Sequence, residues 1–203
     1  MFTRVRAISA ALAVVAATTI AVTSPAGAQT GAGLTCNGQI ATIIAVPGVP
    51  TDGTNGVDVI LGTNGDDIIN GREGNDIICG LGGKDEIRGA AGADWINGGG
   101  GGDRIFGGTG NDTLLGADGW DRMFGGDGRD SMDGGIGNDF MRGNGWMDTM
   151  IGGAGNDDMN GGLANDELIG GPGDDILRGS LGFNRCSDTD ADTENGGCDI
   201  KNF

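Results

Sequence analysis

From Gly53 to Ser187 the chain repeats every nine residues, fifteen times over, without an insertion. Position one of the repeat is Gly in all fifteen units, and position four is Gly in thirteen, with Trp146 and Ala164 as the exceptions. Position six is Asp in fourteen units and Asn184 in the last. Position eight is apolar throughout, running Ile60, Ile69, Ile78, Ile87, Ile96, Ile105, Leu114, Met123, Met132, Met141, Met150, Met159, Leu168, Leu177 and Cys186. One apolar residue in nine gives no helical period. It predicts instead a three-residue strand with its centre pointing inward and a six-residue turn before it. Fixed glycines supply the φ > 0 conformations that such a turn needs. Two units make an 18-residue coil of strand, turn, strand, turn. Stacked coils then pair each strand in parallel with the unit two places along, and seven and a half coils span roughly 36 Å at ~4.8 Å per strand.

A core this thin cannot supply the folding energy, because one buried aliphatic residue must offset the backbone entropy of nine ordered ones. The composition names the substitute. The 203 residues include 46 Gly and no His, and the formal charge is −17. Asp outnumbers Glu 25 to 4, and Asp with Gly is the vocabulary of turns and of oxygen-ligand cation sites rather than of acidic helices. Stacking places each sixth-position Asp near its counterpart one coil away. The candidate metal ligands are therefore Asp58, Asp67, Asp76, Asp85, Asp94, Asp103, Asp112, Asp121, Asp130, Asp139, Asp148, Asp157, Asp166 and Asp175. Calcium suits this set best, since it takes six to eight oxygens in loose geometry, whereas magnesium demands a tight octahedron and zinc prefers His and Cys. Same-side neighbours allow at most 13 ions in an array of this length. The positions that use Trp146, Ala164 or Asn184 are expected to be the weakest. Carboxylate rows repel until a cation separates them, so the chain is expected to be largely disordered without calcium and to fold on binding it.

The units "GGTGNDTLL", "GGAGNDDMN" and "GGPGDDILR" resemble the RTX, or hemolysin-type, calcium-binding nonapeptide G-G-x-G-x-D-x-U-x. The resemblance covers two thirds of the chain. It implies an all-β fold, a right-handed parallel β-roll with calcium between adjacent turns. The flanks "TCNGQIATIIAVPG" and "RCSDTDADTENGGCD" are similar to those of secreted actinobacterial calcium-binding repeat proteins.

The segments outside the array set its context. Residues 1–28 have a basic start at Arg4 and Arg6, a short apolar run from Ala7 to Val22 and "AGA" at 26–28, the pattern of a secretory signal peptide cleaved after Ala28. The run is shorter than the ~20 residues of a spanning helix, and no other run approaches that length. Export would leave an N-terminal cap segment at 29–52, the roll at 53–187 and an acidic C-terminal cap at 188–203. Four Cys in an exported chain suggest two disulfides with three possible connectivities. The preferred one joins near with near, Cys36 with Cys79 and Cys186 with Cys198, stapling both ends of the array.

Several rival readings fall to the pattern. A phosphate-binding Gly loop needs a strand before it and a helix after it. The "DTDADTENGGCD" stretch spaces Asp188, Asp190 and Asp192 like an EF-hand loop, but Thr193 stands where Gly is required and no helices flank it. Met123 to Met159 keep the core position, so they are read as flexible filler rather than soft ligands. Along one face, position nine runs Asn70, Arg88, Phe106, Phe124, Arg142, Asn160, Arg178. This ladder is read as cross-strand packing, with a partner surface as the alternative. An acidic chain excludes nucleic acid as a natural partner. With no His and only 24 and 16 residues outside signal and array, no catalytic domain is expected. The reading is a non-enzymatic secreted calcium-binding module. Its alternatives are an adhesive or ice-binding roll, for which only Thr113, Ser131 and Thr149 rank on successive coils, or the repeat tail of a hydrolase or toxin system.

Overall fold

The nine-residue period becomes a two-sheet solenoid. In the computed structural model, residues 34–188, 198 and 200–202 are described; the predicted signal segment and most of the acidic loop after Asp188 lie outside them. The described residues contain only β-strands, turns and bends. Alternate units contribute to an eight-stranded and a ten-stranded sheet, and every strand pair within the array is parallel. Leu114 pairs with Ile96 on one side and Met132 on the other, an offset of two units each way. No residue slips from this register between Val59 and Ser187.

The strands are longer than the sequence period predicts. Through the middle of the array they span six residues, as in Thr113–Asp118 and Arg122–Asp127. Pairing continues past position nine into positions two and three of the next unit: Ala117 pairs with Gly135, and Asp118 with Ile136. Only positions four to six remain as the turn. The continuation depends on positive φ at position two, found in every unit from the third onward and carried there by Arg72, Leu81, Ala90, Ala117, Asn144 and Ser180 as well as by Gly. Position four repeats the feature, and Trp146 (φ 73°) and Ala164 (φ 84°) adopt it without the glycine that would make it easy.

Fifteen position-eight side chains fill the space between the sheets as one cluster, each 0–2 % exposed. A second apolar cluster lies at the N-terminal end, where Cys36, Val59, Leu61 and Cys79 are packed by Ala41, Ile77 and Trp95. The Cys36–Cys79 disulfide runs through it, and a second joins Cys186 to Cys198, as the near-with-near expectation required. Short strands cover the ends of the sheets. Ile43–Ile44 pairs with Ile60 and Leu61, Thr51–Asp52 with Ile69 and Asn70, and Ile200–Asn202 with Arg185–Ser187.

The outer face of the eight-stranded sheet holds its side chains against one another. The Phe106 and Phe124 rings stack at 5.1 Å. Arg88 and Arg104 lie over Phe106, and Arg122 and Arg142 over Phe140. Glu86 pairs with Arg88 and Arg104. The aromatic faces are thus already used by neighbours, which is the packing reading of the ladder.

Candidate metal sites

The fourteen sixth-position carboxylates form two buried columns along the turns, each residue 6 % exposed or less. Burying an unpaired carboxylate is costly, so the destination of each oxygen matters. From Asp76 onward, Oδ1 accepts a hydrogen bond from the backbone N–H of the Asp one coil earlier. The Asp94 N–H donates to Asp112 Oδ1 at 2.9 Å, and the Asp112 N–H to Asp130 Oδ1 at 2.9 Å. The ladder ends with the Asp166 N–H on Asn184 Oδ1 at 2.8 Å. Asn184 therefore keeps the hydrogen-bonding half of the carboxylate and gives up the charge.

The other oxygen is different. Oδ2 of Asp76, Asp85, Asp94, Asp103, Asp112, Asp121, Asp130, Asp139, Asp148, Asp157 and Asp166 is buried with no hydrogen-bond partner. It lies in a cradle shaped by position one. A Cβ added to Gly107 would meet both Asp112 Oδ2 and the Gly125 carbonyl oxygen of the next coil, 2.6 Å from the latter. The same pair of oxygens recurs at Gly116 and Gly152. This is why position one is Gly without exception: a side chain would fill the space shared by the bare carboxylate oxygen and the neighbouring carbonyl. Among the described residues no three acidic or Cys side chains converge in a metal-sized group. A cation between coils would thus draw on one or two carboxylates and complete its shell with carbonyls.

The electrostatics record the lack of a counter-charge. Burial is the largest cause raising the carboxyls of Asp76, Asp94, Asp112 and Asp157 to about 6, Asp85 and Asp121 to about 7, and Asp148 to about 8. The inter-coil N–H opposes the shift, and the neighbouring carboxylates of the column add to it, as Asp130 and Asp166 do for Asp148. A row whose ionisation is disfavoured by its own members is a row prepared for cations.

Three features escaped the sequence reading. Asn or Asp at position five accepts the position-five N–H of the next coil, as Asn111 does from Arg129 at 2.9 Å and Asn156 from Asp174 at 3.1 Å. The signal was available, since Asn recurs at 75, 111, 138, 156 and 165. Asp188, read above only as part of an acidic cap, is buried, with its carboxyl carbon 3.0 Å from where a Gly170 Cβ would stand. Preceding coils put a glycine carbonyl there, and the Asp188 charge helps raise the Asp157 carboxyl. The third feature is the pair Thr54 and Thr63, treated below.

Comparison with known proteins decides the family. The model of the RTX calcium-binding nonapeptide repeat matches in four copies, at residues 52–87, 80–114, 115–145 and 151–186. The chain belongs to this family. RTX nonapeptide repeats bind calcium, and the oxygen-only donor set of these turns fits that ion: bare carboxylate oxygens, nearby carbonyls and neither imidazole nor free thiol. No curated protein matched the chain. Among the described residues no helix is long and apolar enough to cross a membrane.

Proposed function

We propose that this RTX roll is a secreted calcium-binding module that takes up ions between successive coils along both carboxylate columns and folds as it does so. The observation that carries the reading is the run of eleven buried Oδ2 atoms, from Asp76 to Asp166, that have no partner within the protein. All but that of Asp166 share the position-one cradle with a backbone carbonyl of the adjacent coil, at a spacing set by the strand register. Asp175 is the last sixth-position Asp of one column, with Asp188 beside it, and Asn184 ends the other without a charge. When bound, calcium supplies the positive charge that these oxygens lack. The chain's own part is to hold each Oδ1 on an inter-coil N–H, so that Oδ2 points into the gap, and to keep position one free of a side chain.

The chemistry is structural rather than catalytic. The Asp carboxylates with raised pKa stand in the metal rows. The shallow depression lined by Arg142, Asn160, Ser180 and Leu181 holds no carboxylate to act as a base beside its hydroxyl. Export is supported by the basic-then-apolar pattern of residues 1–28 and by two disulfides, which persist in oxidising compartments. A calcium titration followed by circular dichroism tests the folding reading. Strand signal should appear cooperatively with calcium and be lost in excess chelator. A strand signal of equal size in chelator overturns it.

A further inference from the structure

Two of the predicted ligands have their Oδ2 atoms capped within the protein, although Asp67 Oδ1 stays buried without a hydrogen-bond partner. In the first unit the Thr54 N–H donates to Asp58 Oδ2 at 2.6 Å, and the Thr54 hydroxyl donates to the same oxygen at 2.9 Å. The second unit repeats this, with the Thr63 N–H and hydroxyl on Asp67 Oδ2 at 2.6 and 2.9 Å. Each hydroxyl also accepts from the glycine N–H two residues on, Gly56 and Gly65, at 3.1 Å. The oxygen that is bare in the interior coils therefore carries two hydrogen bonds here. It also stands further back from position one, 2.9 and 3.0 Å from a Cβ built on Gly53 and Gly62.

The cause is a single position. Thr occupies position two only in these units, and neither Thr54 nor Thr63 takes the positive φ that position two has in the thirteen units that follow. A β-branched residue resists that conformation, so the turn folds the other way and its N–H and hydroxyl face the carboxylate. A hydroxyl alone does not suffice. Ser180, unbranched, has φ 67° at position two and gives its hydroxyl to Asn160 instead.

We infer that Thr54 and Thr63 close the first coil to calcium, so that Asp58 and Asp67 are not ligands and the occupied rows begin at Asp76 and Asp85. The ceiling on bound ions falls from 13 to 11, because in the gaps Asp58–Asp76 and Asp67–Asp85 the carboxylate oxygen beside the next coil's carbonyl is the one that the Thr donors occupy. The closed coil is held by other means: the Cys36–Cys79 disulfide, the second apolar cluster, and the Thr42 hydroxyl, which accepts from the Val59 N–H at 2.9 Å. It is a metal-free platform on which calcium-bound coils stack. The inference rests on the calcium reading of the interior rows.

The test uses the full oxidised chain and calcium alone as ligand, with bound ions counted at saturation and the folding midpoint read by circular dichroism. D58N/D67N should leave both the ion count and the midpoint at the parent values, since an amide oxygen still accepts the Thr donors. The interior pair D103N/D112N should lower the count and raise the midpoint about tenfold, because ligand charge sets calcium affinity. T54G/T63G, which frees the turn to take positive φ, should add up to two ions. If D58N/D67N loses as many ions as D103N/D112N, the inference is overturned while the calcium reading stands. If neither variant changes the count, the calcium reading itself fails. Amide exchange in chelator gives a readout independent of the variants. The Thr54 and Thr63 N–H groups should stay protected while those of Asp112 and Asp121 exchange, and equal exchange at both overturns the metal-free platform.

Discussion

The units "GTNGVDVIL" and "GGTGNDTLL" satisfy the same template of Gly, Gly, Asp and apolar residue, yet their turns differ. In the first, Thr54 caps Asp58 from within the turn. In the second, Gly108 and Gly110 take φ of 119° and 128°, and Asp112 is left with one oxygen on the Asp94 N–H and the other bare. A repeat can thus present the same carboxylate oxygen in two states, with Oδ2 capped at the end and bare inside. The difference teaches that the template residues place the Asp, whereas position two decides whether its Oδ2 is capped from within the turn.

The largest effect that tests this contrast is removal of an interior carboxylate in two different ways. D112N keeps an oxygen for the Asp94 N–H and removes the charge, whereas D112A removes both. D112N should raise the calcium needed for folding about tenfold. D112A should cost about 1–3 kcal/mol further, the penalty of leaving the buried Asp94 N–H unsatisfied. The matching pair at Asp58 should show no calcium effect for D58N, and for D58A only the loss of the Thr54 cap, about 1 kcal/mol. Calcium titrations and urea melts at saturating calcium separate the two contributions. Equal calcium shifts for D112N and D58N would erase the distinction between the coils.

Much of this was legible in the sequence, and the limits are instructive. Position eight and position six stood out because each must be one kind of residue to do its work. Ile105 is buried in the apolar cluster, and Asp112 is buried with Oδ1 on an inter-coil N–H, a bond that the one exception, Asn184, also keeps. Strand length was underestimated because the continuation through positions two and three rests on backbone φ, which residues as unlike as Arg72, Leu81 and Asn144 adopt once the ladder on both sides enforces it. Tertiary pairing overrode local preference there, and no spacing rule announces it. Thr54 and Thr63 were invisible for the opposite reason. They sit beside intact Gly and Asp positions, so the template counts them as ordinary units although a β-branched neighbour has reversed the turn. Asp188 stands outside the frame altogether, in a position that becomes a row member only when the coils close.

A smaller and opposite-signed pair of effects comes with pH. Burial raises the interior carboxyls, with Asp76, Asp94 and Asp112 near 6, Asp121 near 7 and Asp148 near 8, against about 3.9 in an unfolded chain. Between those limits the folded metal-free roll holds more protons than the unfolded chain, so its stability falls as pH rises from about 4 to 8 and is flat below both values. Calcium requires the ionised form, so the loaded roll behaves in reverse, and its midpoint should move to higher calcium as pH falls from 8 to 6. Any metal-free structure in the interior should therefore be strongest at or below about pH 4. Circular dichroism in chelator across this range, set beside calcium titrations at pH 6 and 8, reads both slopes. Parallel slopes with and without calcium would mean that the buried carboxylates do not meet the ion.

The smallest effect probes backbone alone. Ala164 holds φ at 84° and Trp146 at 73°, in the position that is otherwise Gly. A left-handed conformation costs an L-residue about 1–2 kcal/mol, and Gly gives part of that back through the greater freedom of its unfolded chain. A164G should therefore stabilise the calcium-loaded roll by up to about 1 kcal/mol, visible as a modest rise in denaturation midpoint at unchanged ion count. Trp146 is 63 % exposed, so W146G loses little packing and should move the same way. At Thr54 the same Gly substitution runs into the opposite logic. T54G removes a capping hydroxyl from Asp58 and relaxes a turn that had no positive φ to relieve, so the metal-free end should weaken rather than gain. Glycine then stabilises at position four, where Ala164 and Trp146 already hold a left-handed turn, and destabilises at position two of the first unit, where Thr54 does not.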